Sequence, residues 1–193
     1  HALLRALGHI TKIMNEEKNR GFKKENDEFV SLCLEPLEIA LLTTLIEQII
    51  SLLEPEEHEK DLDPLAKVVG IDSKTTRPID EVLLRLLPDA YQDDKEAADE
   101  FRRFTERSLR ELKIKNARHI LESLPEPDQT VKIKSKDFQT WLTVLNDVRL
   151  ALGTRIGIED TFEDEDLEEK DHAQEIYSWL TWLQSNLLEE LNK

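Results

Sequence analysis

The stretch LNDVRLALGTRIGIED, residues 145–160, decides how this chain is read. Leucine and valine at helical spacing are interrupted by Asn146, Asp147 and Arg149, and the segment then spends Gly153 and Gly157, two of the chain's five glycines, on its way out. On a helix, Asn146, Arg149 and Gly153 fall at i, i+3 and i+7 and form one stripe bordered by Leu142, Leu145 and Leu150. A buried guanidinium without a partner is strongly unfavourable, so Arg149 is expected to meet a carboxylate or carbonyls of the same chain. Gly153 removes a side chain where another helix can approach, and Gly157 lets the backbone turn. The expectation is a helix–helix seam closed by a polar clasp.

Working outward, the same helix takes in Phe138, Trp141, Leu142, Leu145, Val148 and Leu152, with Ser135 as its expected cap. Beyond an acidic run at 159–171, a last helix carries Ile176, Trp179, Leu180, Leu183, Leu187 and Leu191. Upstream, TVKIK (130–134) and EFVSLCLEP (28–36) alternate with period two, and the two short strands are expected to pair with each other so that neither leaves both edges open. Pro36 suits the first turn of a helix that runs through Ile39, Leu42, Leu45, Ile46, Ile49, Leu52 and Leu53. Asp63 caps a short helix from Pro64 to Gly70, and Asp80 caps EVLLRLL. Asp93, with Glu96 three residues on, opens a long helix to about Leu124. Its Phe101, Phe104, Leu109, Leu112, Ile120, Leu121 and Leu124 predict one buried face, with a basic face opposite. The fold class is mainly α, a single-domain helical bundle with a minor two-stranded β-ribbon. Residues 1–27 read as an N-terminal helix (Leu3, Leu4, Leu7, Ile10, Ile13, Met14) and a mobile connector, and residues 28–193 as the helical domain.

Composition narrows the function classes. The chain has 193 residues, 39% hydrophobic and 35% charged, with a formal net charge of -16. Such a charge opposes the attraction to phosphate on which nucleic-acid binders depend, and it repels anionic lipid surfaces. The N-terminal apolar residues have helical spacing rather than a signal-peptide core, and no apolar run approaches the roughly 20 residues of a membrane span. One cysteine, Cys33, suits a reducing compartment, so the expected location is the cytoplasm.

No catalytic constellation emerges. Counted from Asp164, the acidic run has Glu169 where an EF-hand loop requires glycine. Glu169 and His172 make one Glu-x-x-His, without the second copy that a di-iron site needs. Nucleophile elbows and glycine-rich phosphate loops are absent, and no cofactor is expected. The basic residues Arg102, Arg103, Arg107, Arg110, Lys113, Lys115 and Arg118 are expected to pair within the chain, including with Glu106 and Glu111, or else to dock an acidic partner. Cys33 is read as structural, with a redox thiol as the alternative. Trp179 and Trp182, at i and i+3, belong to the core or, alternatively, to an interface such as a homodimer made by the last helix.

LLPDAY (86–91), LNDVRLALGTRIGIED, IYSWLTWLQSNLLEEL (176–191) and LEPLEIALLTTLIEQI (34–49) resemble an actinobacterial family catalogued as a domain of unknown function, from about residue 28 to the C-terminus. The resemblance implies a helical cytoplasmic protein encoded near a Clp-protease adaptor and cysteine-biosynthesis functions. It also implies a role in oxidative-stress transcriptional control through a sigma factor. A thiol switch built on two cysteines departs from this sequence, which has one. The reading is a non-enzymatic regulator acting through protein contacts, with Asn146, Asp147 and Arg149 as its site. The alternative is a small-molecule sensor or enzyme with a pocket around Asn146 and Arg149.

Overall fold

In the computed structural model of the chain, residues 20–54, 77–91, 93–157 and 167–193 are described, with 167–171 by backbone alone. The expected N-terminal helix, the helix at 64–70 and most of the acidic run lie outside the described residues. Strands β1 (Gly21–Lys24), β2 (Phe29–Cys33) and β3 (Thr130–Lys134) form an antiparallel sheet with β2 in the centre. The helices are α1 (Pro36–Leu53), α2 (Glu81–Leu86), α3 (Lys95–Glu122), α4 (Phe138–Arg155) and α5 (Leu167–Leu191). The protein is mainly α with minor β.

The alternation in β2 turns Val30 and Leu32 inward, and Leu34 follows them into the core; Ile133 of β3 joins from the same sheet. Against this face pack Leu42, Ile46 and Leu53 of α1, Trp141 and Leu145 of α4, and Trp179, Leu180, Leu183 and Leu187 of α5, each fully buried. Burying each of the aliphatic side chains among them contributes about 1.5–3 kcal/mol. Phe22 meets the Trp141 ring edge-on, with centroids 5.4 Å apart. By length and composition α1 could cross a membrane; here its apolar residues are spent on this core.

The sheet departs from the expected two-stranded ribbon. β1 occupies part of the stretch read as a mobile connector, and it is hard to see in sequence because Phe22 is its one large apolar residue. Its outer edge is satisfied from far along the chain: the Phe22 N–H donates to Asn186 Oδ1 at 2.6 Å, and Asn186 Nδ2 donates back to the Phe22 carbonyl at 3.2 Å. The Lys24 N–H donates to Glu190 Oε2 at 2.9 Å. Side chains of α5 thus stand in for a fourth strand and close an edge that would otherwise be open to pairing. In the β1–β2 turn, Asn26 Oδ1 accepts from the Glu28 and Phe29 amides at 2.9 and 3.0 Å.

Other boundaries move less. Asp80 caps α2 as expected, accepting from the Val82 amide at 2.8 Å. The cap of α3 is Asp94 rather than Asp93, accepting from Ala97 at 3.0 Å. Ser135 opens a 3-10 turn (Ser135–Asp137) before α4 instead of capping it, and α5 begins inside the acidic run. The largest departure is the orientation of α3. Phe101, Phe104 and Leu112, expected inside, are 45%, 49% and 52% exposed, whereas Arg102 and Glu106 are buried.

Two glycines separate steric from conformational demand. Gly157 ends α4 at φ 65° with open space where a Cβ would stand; Gly21 combines φ 87° with a Cβ position 2.5 Å from Asn186 Oδ1 and 2.9 Å from Trp182 Cη2. Gly157→Ala is therefore expected to destabilise by about 1–2 kcal/mol, the left-handed backbone strain alone. Gly21→Ala should lose about 3 kcal/mol or more, since Asn186 cannot retreat without releasing Phe22. Urea unfolding of both variants checks the order, and equal losses would contradict it.

Candidate functional site

The polar interior is organised around Glu38, in the first turn of α1 and fully buried. Its Oε2 accepts from Arg20 Nε and from the Glu35 amide, both at 2.9 Å, and its Oε1 accepts from Trp179 Nε1 at 2.5 Å and from a terminal nitrogen of Arg20. A buried carboxylate is tolerated when its charge is paired and its lone pairs are filled, and here both conditions hold. Trp179 is thereby a core residue with a polar tether. Trp182 is half-buried against Gly21.

The trio on α4 divides. Asp147 is buried and accepts two hydrogen bonds from Lys113 Nζ of α3, at 2.8 and 2.9 Å. Burial pushes its carboxyl above the ordinary carboxylate value, and Lys113 pulls it back only in part. Among the described residues Arg149 meets neither the carboxylate nor the carbonyls expected of it. Its guanidinium lies over the Tyr177 ring of α5, 5.7 Å from the centroid, and its Nε is buried without a hydrogen-bond partner among the described residues. The stack on an aromatic face replaces the ion pair, because the weakly hydrated guanidinium tolerates partial desolvation there. Polar side chains of α4 thus reach two neighbours, Asp147 to α3 and Arg149 to α5, without the carboxylate or carbonyl partner expected for Arg149. Asn146 is half-buried beside Arg149, and Gly153 lies in the last turns of the same helix.

A second polar network explains why α3 turns charges inward. Arg102 donates to the Leu87 carbonyl at 3.0 Å and pairs with Asp89 and Glu106. Arg110 pairs with the same Glu106 and donates to the Leu53 carbonyl at 3.2 Å. Leu53 ends α1 and Leu87 caps α2, so the two arginines satisfy carbonyls that helix C-termini leave unbonded. Burial works against the Arg102 charge, but Asp89 and Glu106 more than offset it and hold its pKa above the ordinary value. The hydrogen bond from Arg102 holds Asp89 below its own. Arg107 pairs with Glu111 and Arg118 with Glu54 on the surface. With these charges directed inward, Phe101, Phe104 and Leu112 face out, and Tyr91 packs edge-on against Phe101 at 6.1 Å. Sequence reasoning missed this face because apolar spacing was assumed to mark the buried side.

Cys33 is a free, half-buried thiol at the end of β2, opposite Gly21 and Thr130 on the flanking strands. Among the described residues no group of three or more His, Cys, Asp or Glu side chains is placed to hold a metal ion.

The family described as "Domain of unknown function (DUF2017)" matches residues 19–191. The chain is 32% identical over 174 residues to "Putative oxidative stress regulator AosR" of Mycobacterium leprae (strain TN), covering 79% of this chain and 78% of that protein. It is also 32% identical over 171 residues to "Oxidative stress regulator AosR" of Mycobacterium tuberculosis (strain ATCC 25618 / H37Rv), covering 80% and 78%. No solved structure matches significantly.

The Lys113–Asp147 pair yields a double-mutant cycle. Lys113→Met alone strands a buried carboxylate and should destabilise by about 3–5 kcal/mol, whereas Lys113→Met with Asp147→Leu should fall within about 1 kcal/mol of wild type or above it. The pH dependence has a defined sign. Because the folded Asp147 pKa lies above 3.8, the folded chain keeps a proton that the unfolded chain has released, and this group's contribution falls as pH rises through that interval. Asp147→Asn should remove that slope in melting curves taken across the acid range; an unchanged slope would show that Asp147 does not cause it.

Proposed function

The chain belongs to the DUF2017 family, and from that premise we propose that it is a cytoplasmic, non-enzymatic regulator in the response to oxidative stress, acting through contacts with a protein partner. The observation that carries the proposal is the identity, over about four fifths of both chains, to proteins named oxidative stress regulators. For the partner, the resemblance points to a sigma factor. The contact we favour lies on the α4–α5 ridge around the half-buried Arg149, whose guanidinium lies over Tyr177 near Asn146. A carboxylate from a partner would be drawn to that charge.

Within these 193 residues Cys33 has no second cysteine with which to form a disulfide. We therefore assign Cys33 a structural place in the sheet. Direct nucleic-acid binding is disfavoured for a related reason: Arg102, Arg110 and Lys113, the middle of the basic stripe, are engaged with Asp89, Glu106, Asp147 and helix-end carbonyls. Charges already paired have little to offer phosphates.

In cells lacking the chain, wild-type protein should restore the peroxide-induced transcript pattern, and affinity capture should retain one specific protein partner. Arg149→Glu should melt within about 4 °C of wild type, because the cation–π contact of a half-buried guanidinium contributes about 1 kcal/mol. It should nonetheless fail both to restore the pattern and to retain the partner. Cys33→Ser should do both. Recovery of a metabolite with no protein would overturn the regulator reading in favour of a sensor, and full activity of Arg149→Glu would overturn the site.

A further inference from the structure

We propose that the outward face of α3 is an isologous interface at which two copies of this chain pair with their α3 helices antiparallel. Of the large hydrophobic side chains exposed among the described residues, Tyr91, Phe101, Phe104 and Leu112 gather on this one face. Phe104, Ser108 and Leu112 run down it at i, i+4 and i+8. An antiparallel second copy centred on Ser108 sets Phe104 of each chain on Leu112 of the other and places the two small serines at the crossing, where the backbones come closest.

Charge identifies the occupant. At 100° per residue, Glu100, Arg107, Glu111 and Arg118 fall within about a 40° sector beside the apolar row. Read in either direction their signs alternate, and reversal about position 109 maps Glu100 onto Arg118 and Arg107 onto Glu111. The offset from the apolar centre is one residue, about 1.5 Å along the axis. In the antiparallel pair each acid of the row meets a base of the other copy. A uniformly acidic partner would meet Glu100 and Glu111, and a basic one Arg107 and Arg118. The partner that fits carries the reversed pattern, and this helix supplies it. The existing pairs Arg107–Glu111 and Arg118–Glu54 are exposed, with side chains 35% and 66%, and 59% and 51%, accessible. Such pairs are weak and exchange readily for contacts across an interface.

The twofold axis counts each contact twice, so a single charge reversal is read twice in the dimer constant. Sedimentation velocity on the whole chain from about 1 to about 100 µM should show a monomer–dimer equilibrium. Arg107→Glu and Glu111→Arg should each weaken it about tenfold or more, while an equimolar mixture of the two variants should form a heterodimer, seen by native mass spectrometry, because every charge is then opposed. Phe104→Asp should be monomeric with an unchanged circular dichroism spectrum. Ser108→Cys in a Cys33→Ser background should form an interchain disulfide on mild oxidation. A wild-type chain that stays monomeric throughout, or a dimer that neither reversal weakens, overturns the proposal; both results leave the regulator reading untouched.

Discussion

The carboxylate of Glu38 is the point on which the arrangement of this protein turns. It sits at zero exposure and is held by the Glu35 amide of its own helix start and by donors from two other parts of the chain, the Arg20 guanidinium just before β1 and the Trp179 indole in α5. The apolar core alone would permit α5 to slide along the sheet, because leucine seams are weakly directional. A buried charge does not permit it, since losing any one donor leaves an ion uncompensated at low dielectric. With Arg20 and Trp179 tied to one carboxylate, Asn186 and Glu190, two and three turns further along α5, reach the backbone of β1. The sheet edge is closed as a consequence of where Glu38 is.

Much of the architecture was legible because it is local. Period-two alternation places β2 and β3, Pro36 starts α1, and Asp80 caps α2, each readable within a few residues. What escaped depends on contacts between elements, some of them well over a hundred residues apart. β1 has a single large apolar residue and is held by side chains 164 and 166 positions away. Glu38 looks in sequence like a first-turn acid facing the helix dipole, which it also is; nothing nearby announces that Trp179 will donate to it. For Arg149 the desolvation penalty argues for a carboxylate or carbonyls as partner and leaves an aromatic face out of account. A half-buried guanidinium over Tyr177 evades most of that penalty, and the carboxylate beside it on α4 goes to Lys113 instead.

The inversion of α3 has a physical cause that ties its two faces together. α1 and α2 both end against it, and their terminal carbonyls need donors; arginine reaches them with a long stem and several N–H groups, and Glu106 and Asp89 balance the charge it brings. A helix of 3.6 residues per turn offers one inward stripe. Over residues 102–110 that stripe is occupied by Arg102, Glu106 and Arg110, so aromatic residues in this stretch point outward. The region beyond, where Ala117 and Ile120 are buried, returns to ordinary amphipathicity.

An outward apolar row is a liability unless something covers it. Replacing Phe104 or Leu112 by a charge would remove the liability without touching the core, because neither contributes to it. The surface charge beside the row is strongly negative for the chain as a whole yet alternating along α3, which a solubilising face does not require. Alternation lets residues pair along the exposed helix itself, as Arg107 does with Glu111, and it sets register and direction where such a surface meets another helix. The row on α3 shares no residue with the Arg149–Tyr177 contact between α4 and α5.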